Sequence, residues 1–159
     1  MKKSDLISEI ASSKNLTTKD AEKIGEVFDL YRQFYKKESD VEICKKYIKE
    51  RLDNNEADIF FFEDKNKCIG LVQLYTTFDS LELSKKIVLY DLYVRSEYRT
   101  QGLGKKLMSA ALEFAKKNNI SGIELSTSKN NTTAQSLYEK LGYERDEDFY
   151  NYYLTVTND

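Results

Sequence analysis

Arg99-Thr100-Gln101-Gly102-Leu103-Gly104 is the stretch on which the reading of this chain turns. An apolar run, Ile87-Val88-Leu89-Tyr90-Asp91-Leu92-Tyr93-Val94, precedes it, and an amphipathic segment starts at Leu103. Strand, short turn with two glycines, then helix aims backbone N–H groups at an anion such as a pyrophosphate. The first-turn amides of a helix have no partner inside it, and the helix dipole is positive at that end. Glycine has no Cβ to keep a ligand at a distance. Glycine pairs also open helices for packing reasons, so the turn alone does not decide.

Composition narrows the classes. A chain of 159 residues supports one domain with one core. Its 25 basic and 27 acidic residues are interleaved, with a net charge of −2, and give no nucleic-acid footprint. No run approaches a membrane span and the start of the chain lacks a signal-peptide core, so a cytoplasmic location is expected. The two cysteines, Cys44 and Cys68, suit buried thiols in a reducing compartment better than a disulfide framework. With no histidine, imidazole bases and His metal ligands are excluded, and two lone cysteines make no zinc site. Proton transfer falls to Asp, Glu, Tyr, Lys, Cys, backbone or water.

Periodicity orders the elements. Thr17 or Thr18 caps a helix running to about Tyr35, with Ile24, Val27, Phe28, Tyr31 and Phe34 on one face. Ser39-Asp40-Val41-Glu42 reads as a capping box before a helix that buries Cys44, Tyr47, Ile48 and Leu52. Ala57 to Phe62 and Cys68 to Thr77 form a hairpin turning at Asp64-Lys65-Asn66-Lys67. Ile87 to Arg95 is a strand, Leu103 to Lys117 a helix and Ile120 to Thr127 a strand. Thr132 to Leu141 is a short helix stopped by Gly142, and Tyr143–Arg145 and Phe149–Val156 are strands that close the sheet. Leu6, Ile7, Ile10 and Ala11 have helical spacing, and residues 1–16 read as an atypical N-terminal extension with a degenerate first strand. No repeat or linker interrupts the chain, so 1–159 is expected to be a single domain.

A second motif lies downstream: Asn131-Thr132-Thr133-Ala134-Gln135-Ser136-Leu137-Tyr138-Glu139-Lys140-Leu141-Gly142-Tyr143. With the first, it resembles the GCN5-related N-acetyltransferase (GNAT) family. Arg99, Gly102 and Gly104 match that family's Arg/Gln-x-x-Gly-x-Gly/Ala signature. Asn131, Ala134, Leu137, Tyr138, Lys140, Gly142 and Tyr143 match its second signature, in the right order. The resemblance implies an α/β (α+β) fold: a mixed, mostly antiparallel central sheet split between strands 4 and 5, flanked by about four helices. It implies acetyl-CoA as cosubstrate, its pantetheine arm pairing in the split by β-augmentation.

On that resemblance the backbone of Leu92, Tyr93 and Val94 serves the pantetheine and thioester carbonyl. Arg99, Thr100, Gln101, Gly102, Leu103, Gly104 and Lys105 hold the pyrophosphate. Asn131 and Ala134 belong to the second signature, with Asn131 equally suited to capping its helix. Tyr138 is the implied proton donor to the leaving thiolate, or else a packed core tyrosine. Asp91 is the candidate general base, since a carboxylate inside an apolar strand needs a reason. A structural carboxylate satisfied by a neighbouring Lys or Tyr is the equal alternative, and Glu124 is the second candidate. Strict alternation puts Asp91 with Leu89 and Tyr93 and opposite Tyr90. Tyr31, Arg32, Phe34 and Tyr35 end the first helix and with Tyr75 are candidates for an aromatic wall that holds a cationic acceptor, with ordinary amphipathic packing the alternative for Tyr31 and Phe34.

The function expected is direct acetyl transfer to a primary amine of a small molecule. A polypeptide acetyltransferase, a non-catalytic acyl-CoA-binding module and a DNA-associated protein acting through the N-terminal segment are the alternatives. No nucleic-acid, membrane or metal partner is expected. Small members of the family are often homodimers, and the resemblance extends that possibility to this chain.

Overall fold

The computed structural model describes residues 10–12 and 16–157. They fall into two compact units, Met1–Ser126 and Thr127–Asp159, which are described in turn.

The first unit is a five-stranded sheet in the order β1-β2-β3-β4-β5 with three helices. Its first strand, β1 (Ala11–Ser12), pairs antiparallel with β2 (Asp58–Asp64), Ala11 lying opposite Phe61. Ala11 is therefore strand, against the helical spacing read there; Leu6 and Ile7 lie outside the described residues. α1 (Thr18–Phe34) starts with a capping box between Thr17 and Asp20 and buries Ala21, Ile24, Val27 and Phe28 on one face. α2 (Val41–Asp53) buries Cys44 and Ile48. The two helices meet at Gly25, where a Cβ would lie 2.7 Å from Lys45 Cα, so a larger residue would force them apart.

The capping box expected at Ser39 does not form. Asp40 is the cap, accepting from Ile43 N–H, while Ser39 donates its hydroxyl to buried Asp29 at 2.7 Å. Asp29 takes further bonds from Asp40 N–H and Gln33, and Cys44 Sγ lies 3.7 Å away. Burial pushes its carboxyl up, but these bonds outweigh that and leave it below the usual range.

β2 turns into β3 (Lys67–Asp79) through Lys65 and Asn66, both in the left-handed region as a two-residue hairpin turn requires. From Cys68 to Leu74 every residue of β3 is buried, because helices cover both faces. α1 and α2 pack on one face through Ile24, Val27, Phe28, Ile48, Ile59 and Leu71. α3 (Leu103–Lys117) packs on β2, β3 and β4 (Ser84–Val94) and buries Leu103, Leu107, Met108 and Ala111. Each Leu or Ile so buried contributes about 1.5–3 kcal/mol. Cys68 is fully buried and Cys44 nearly so.

β4 runs antiparallel to β3 along its length and parallel to β5 (Gly122–Glu124) only from Lys86 to Val88. Past Val88 that side of β4 has no ladder partner among the described residues. This is the expected split between strands 4 and 5.

The second unit holds α4 (Thr132–Lys140), capped by Asn131, whose side chain accepts from Ala134 N–H at 3.2 Å. Gly142, at φ +90°, ends it: Gly142 N–H bonds Glu139 C=O and Tyr143 N–H bonds Tyr138 C=O. The closing strands expected at Tyr143–Arg145 and Phe149–Val156 are not formed; no described residue after Lys140 is in a strand. Strand propensity measures fit to a half-buried pleated surface, and none of residues 127–157 is buried. Tyr152 and Tyr153 are each 92% exposed.

Candidate active site

The register of β3 and β4 builds the centre of the first unit's site. Leu74 lies opposite Leu89 and Gln73 opposite Asp91, which leaves Tyr90 as an extra residue in β4. Such a bulge breaks the period-two alternation and turns successive side chains toward one face. Tyr90 stacks edge-on with Tyr75, Asp91 is within bonding reach of Tyr31, and Tyr93 meets the Tyr31 ring. Asp91 thus shares a face with Tyr90 and Tyr93, which corrects the alternation that set it opposite Tyr90.

Asp91 is 2% exposed. Burial pushes its carboxyl up to about 6, partly opposed by bonds from Gln73 and Tyr31. Gln73 Nε2 donates to Asp91 Oδ2 at 2.6 Å. The single Tyr31 hydroxyl proton is donated to Tyr90 C=O at 3.1 Å, with the Asp91 carboxyl as the alternative acceptor beside it. Around this carboxyl runs a chain of rings: Tyr35 on Tyr31, Tyr31 on Phe28, Phe28 on Tyr47. The Tyr47 and Tyr75 hydroxyls lie 2.9 Å apart. The phenols of Tyr31, Tyr35 and Tyr75 are all raised, by burial first and then by the neighbouring Asp91 or, for Tyr75, the bond to Tyr47. They stay protonated at neutral pH and cannot act as bases, whereas Asp91 titrates where a base is useful.

The turn after β4 is tied down on one side and open on the other. Arg95 donates to Cys68 C=O at 2.7 Å, and the Tyr98 hydroxyl to Asp64 at 2.6 Å. Arg99 donates to Val94 C=O at 2.9 Å and lies over the Tyr93 ring, 5.3 Å from its centre. Thr100 and Gly102 both have positive φ, +63° and +79°. A β-branched residue in that region is strained; Gly102 takes the same region without penalty. Gly102 is the N-cap of α3 and, having no side chain, makes no cap bond, so the first-turn amides of the helix have no cap bond from it. An uncapped helix start beside an arginine is suited to a diphosphate. The β4 edge at Leu92–Val94, which has no strand partner on its β5 side among the described residues and whose Val94 C=O is held by Arg99, is suited to an extended amide chain.

Tyr31, Tyr35, Tyr75, Tyr93 and Asp91 are therefore brought together; Arg99 folds back onto Val94 and Tyr93, and Thr100 and Gln101 follow it in the turn before α3. Arg32 is not among them: its Nη1 lies 3.7 Å from Cys44 Sγ, beside Asp29. Glu124 is half-exposed and paired with Lys86 at 2.8 Å, a surface role. In the second unit Asn131 caps α4, with Ala134 as the amide it caps. Tyr138 lies half-buried on α4, its ring 6.0 Å from that of Tyr143. Sequence reading missed Gln73 and Tyr90. A glutamine inside the apolar run Cys68–Leu74 carried the same signal as Asp91, and pairing the two strands would have set them side by side.

Comparison with known proteins identifies the family and the fold. The model of the "Acetyltransferase (GNAT) family" matches residues 24–143. The chain is 40% identical to the uncharacterized N-acetyltransferase YhfO of Bacillus subtilis (strain 168), over 87% of this chain and 93% of that protein. It superposes with a TM-score of 0.84 on the crystal structure of a probable acetyltransferase, at 30% identity, covering 96% of this chain and all (100%) of the other. It shares the fold of an aminoglycoside acetyltransferase from an uncultured soil metagenomic sample, at a TM-score of 0.76 and 21% identity, covering 96% and 98% of the two chains.

Proposed function

The chain belongs to the GNAT family of N-acetyltransferases, and from that premise we propose that it transfers the acetyl group of acetyl-CoA directly to a primary amine of a small molecule. The observation that carries this reading is Asp91, a buried carboxyl with a raised pKa set among tyrosines, on the stretch of β4 past Val88 that has no partner on its β5 side among the described residues. An alkylammonium of pKa about 10.4 is neutral in roughly one molecule in 2,500 at pH 7, so a base that removes its proton governs the rate. Asp91 is that base. The half-exposed rings of Tyr35 and Tyr90 hold the cationic amine above it.

The uncapped start of α3 and Arg99 suit the cosubstrate's diphosphate, and a backbone N–H at Leu92–Val94 polarises the thioester carbonyl. Tyr138 is assigned the leaving thiolate on the second signature alone: a phenol of pKa ~10 donates to a thiolate of pKa ~8.5 when positioned for it. The small-molecule acceptor is supported by the aromatic face and by the aminoglycoside acetyltransferase of similar fold. The decisive experiment is a screen of acetyl-CoA turnover across aminoglycosides, polyamines, amino acids and peptide N-termini, with product identified by mass. A small amine should be acetylated, and Tyr138→Phe should lower its turnover by about 10- to 1,000-fold. Turnover of peptides alone would overturn the acceptor class, and near-normal turnover in Tyr138→Phe would remove Tyr138 from the chemistry.

A further inference from the structure

Gln73 is fully buried, and its two polar ends are treated unequally. Nε2 donates to Asp91 Oδ2 at 2.6 Å, while Oε1 has no hydrogen-bond partner among the described residues. A buried amide oxygen left without a donor is costly and calls for an explanation. The explanation lies in the state of its neighbour. An ionised Asp91 needs a donor, which Nε2 supplies. Once Asp91 has accepted a proton its carboxyl becomes a donor as well, and it would face a second donor. Rotating the Gln73 amide by half a turn about its last torsion presents Oε1 to the new O–H and gives that oxygen the partner it lacks. Glutamine alone among the neutral side chains of this length offers both a donor and an acceptor at the same place.

We infer that Gln73 is the positioning residue of the base, an amide that follows the proton on Asp91 and sets the pH at which Asp91 can accept one from the substrate ammonium. The inference rests on the reading of Asp91 as base. In the step it serves, R–NH3⁺ gives one proton to Asp91 Oδ2 and becomes R–NH2, the carboxylate becomes a carboxylic acid, and the N–H bonding pair stays on nitrogen. The other groups facing Asp91 leave this task to Gln73. From α1 come the phenols of Tyr31 and Tyr35, from β3 that of Tyr75, from β4 the rings of Tyr90 and Tyr93. The nearby cations are engaged elsewhere: Arg99 with Val94 C=O and the Tyr93 ring, Arg51 with Glu56 and the Tyr47 ring. Tyr31 can donate to the carboxylate but already has Tyr90 C=O as an acceptor.

The test measures the titration of the Asp91 carboxyl carbon by NMR beside the pH profile of turnover. Gln73→Met keeps the volume and removes both polar ends. Gln73→Met loses both the bond to the carboxylate and the weaker neutral bond to the acid, and the excess strength of the charge-assisted one changes the acidity by up to about tenfold. The Asp91 midpoint should therefore rise by about one pH unit, and the acid limb of kcat should move up with it. Gln73→Glu keeps the shape and makes a carboxyl pair that shares a proton, so its midpoint should rise further; it also serves if Gln73→Met fails to fold. In the wild type the Gln73 side-chain amide resonances should shift with the Asp91 midpoint, as the rotation requires. An unchanged Asp91 midpoint in both variants overturns the inference. A midpoint that moves while the acid limb stays in place overturns instead the reading of Asp91 as base, and an Asp91→Asn protein that keeps the acid limb overturns it independently.

Discussion

Asp91 is held where ionisation is unfavourable, and folding must reflect that. Its carboxyl sits near 6 in the folded chain against an ordinary value of ~4, so the folded state binds this proton more tightly than the unfolded state. The group therefore favours folding fully only below pH ~4, and that contribution is lost as pH rises from there through about 6, a total cost on the order of 3 kcal/mol. Asp91→Asn cannot ionise and escapes the cost. The stability of the variant minus that of the wild type, from thermal or urea unfolding, should be more favourable at pH 8 than at pH 4. An equal difference at the two pH values would mean that Asp91 does not hold its proton this tightly. Asp91 was legible in the sequence because a lone carboxylate in an apolar strand is conspicuous. Its facing was not, because the inserted Tyr90 shifts the phase of the strand and no residue type announces a bulge.

Elements were legible where local chemistry decides them. Thr17 and Asp20 fix the start of α1 between themselves, and Gly142 ends α4 by a backbone conformation glycine takes freely. The start of α2 was misjudged because the Ser39 hydroxyl answers to Asp29, a residue on another helix. α3 gives the prediction at this scale. Gly104 is the second residue of the helix, where a negative side chain is ordinarily favourable to the dipole. Gly104→Glu should therefore fold with unchanged or slightly higher stability, yet set a carboxylate against an incoming diphosphate. Calorimetric titration should show CoA affinity falling by at least tenfold in a protein whose unfolding midpoint has not dropped. Undiminished affinity would move the diphosphate site away from this helix.

At the scale of the whole molecule, the sequence reads well through the sheet and poorly after Lys140. Phe149 to Val156 has the composition of a strand, and composition cannot say whether an edge is there to receive it. With Tyr152 and Tyr153 each 92% exposed, Tyr152→Lys with Tyr153→Lys should change stability by no more than about 0.5 kcal/mol per site. A loss of several kcal/mol in denaturant unfolding would show that the tail is covered in solution. The burial of the two cysteines reaches beyond the fold to the bench. Cys44 and Cys68 are 1% and 0% exposed, and burial pushes both thiols up, Cys68 to about 12. Neither supplies a thiolate to a disulfide reagent at working pH. A chromogenic thiol probe added to the native protein should therefore stay colourless until free CoA is released, and the reaction can be followed continuously with no background from the protein itself.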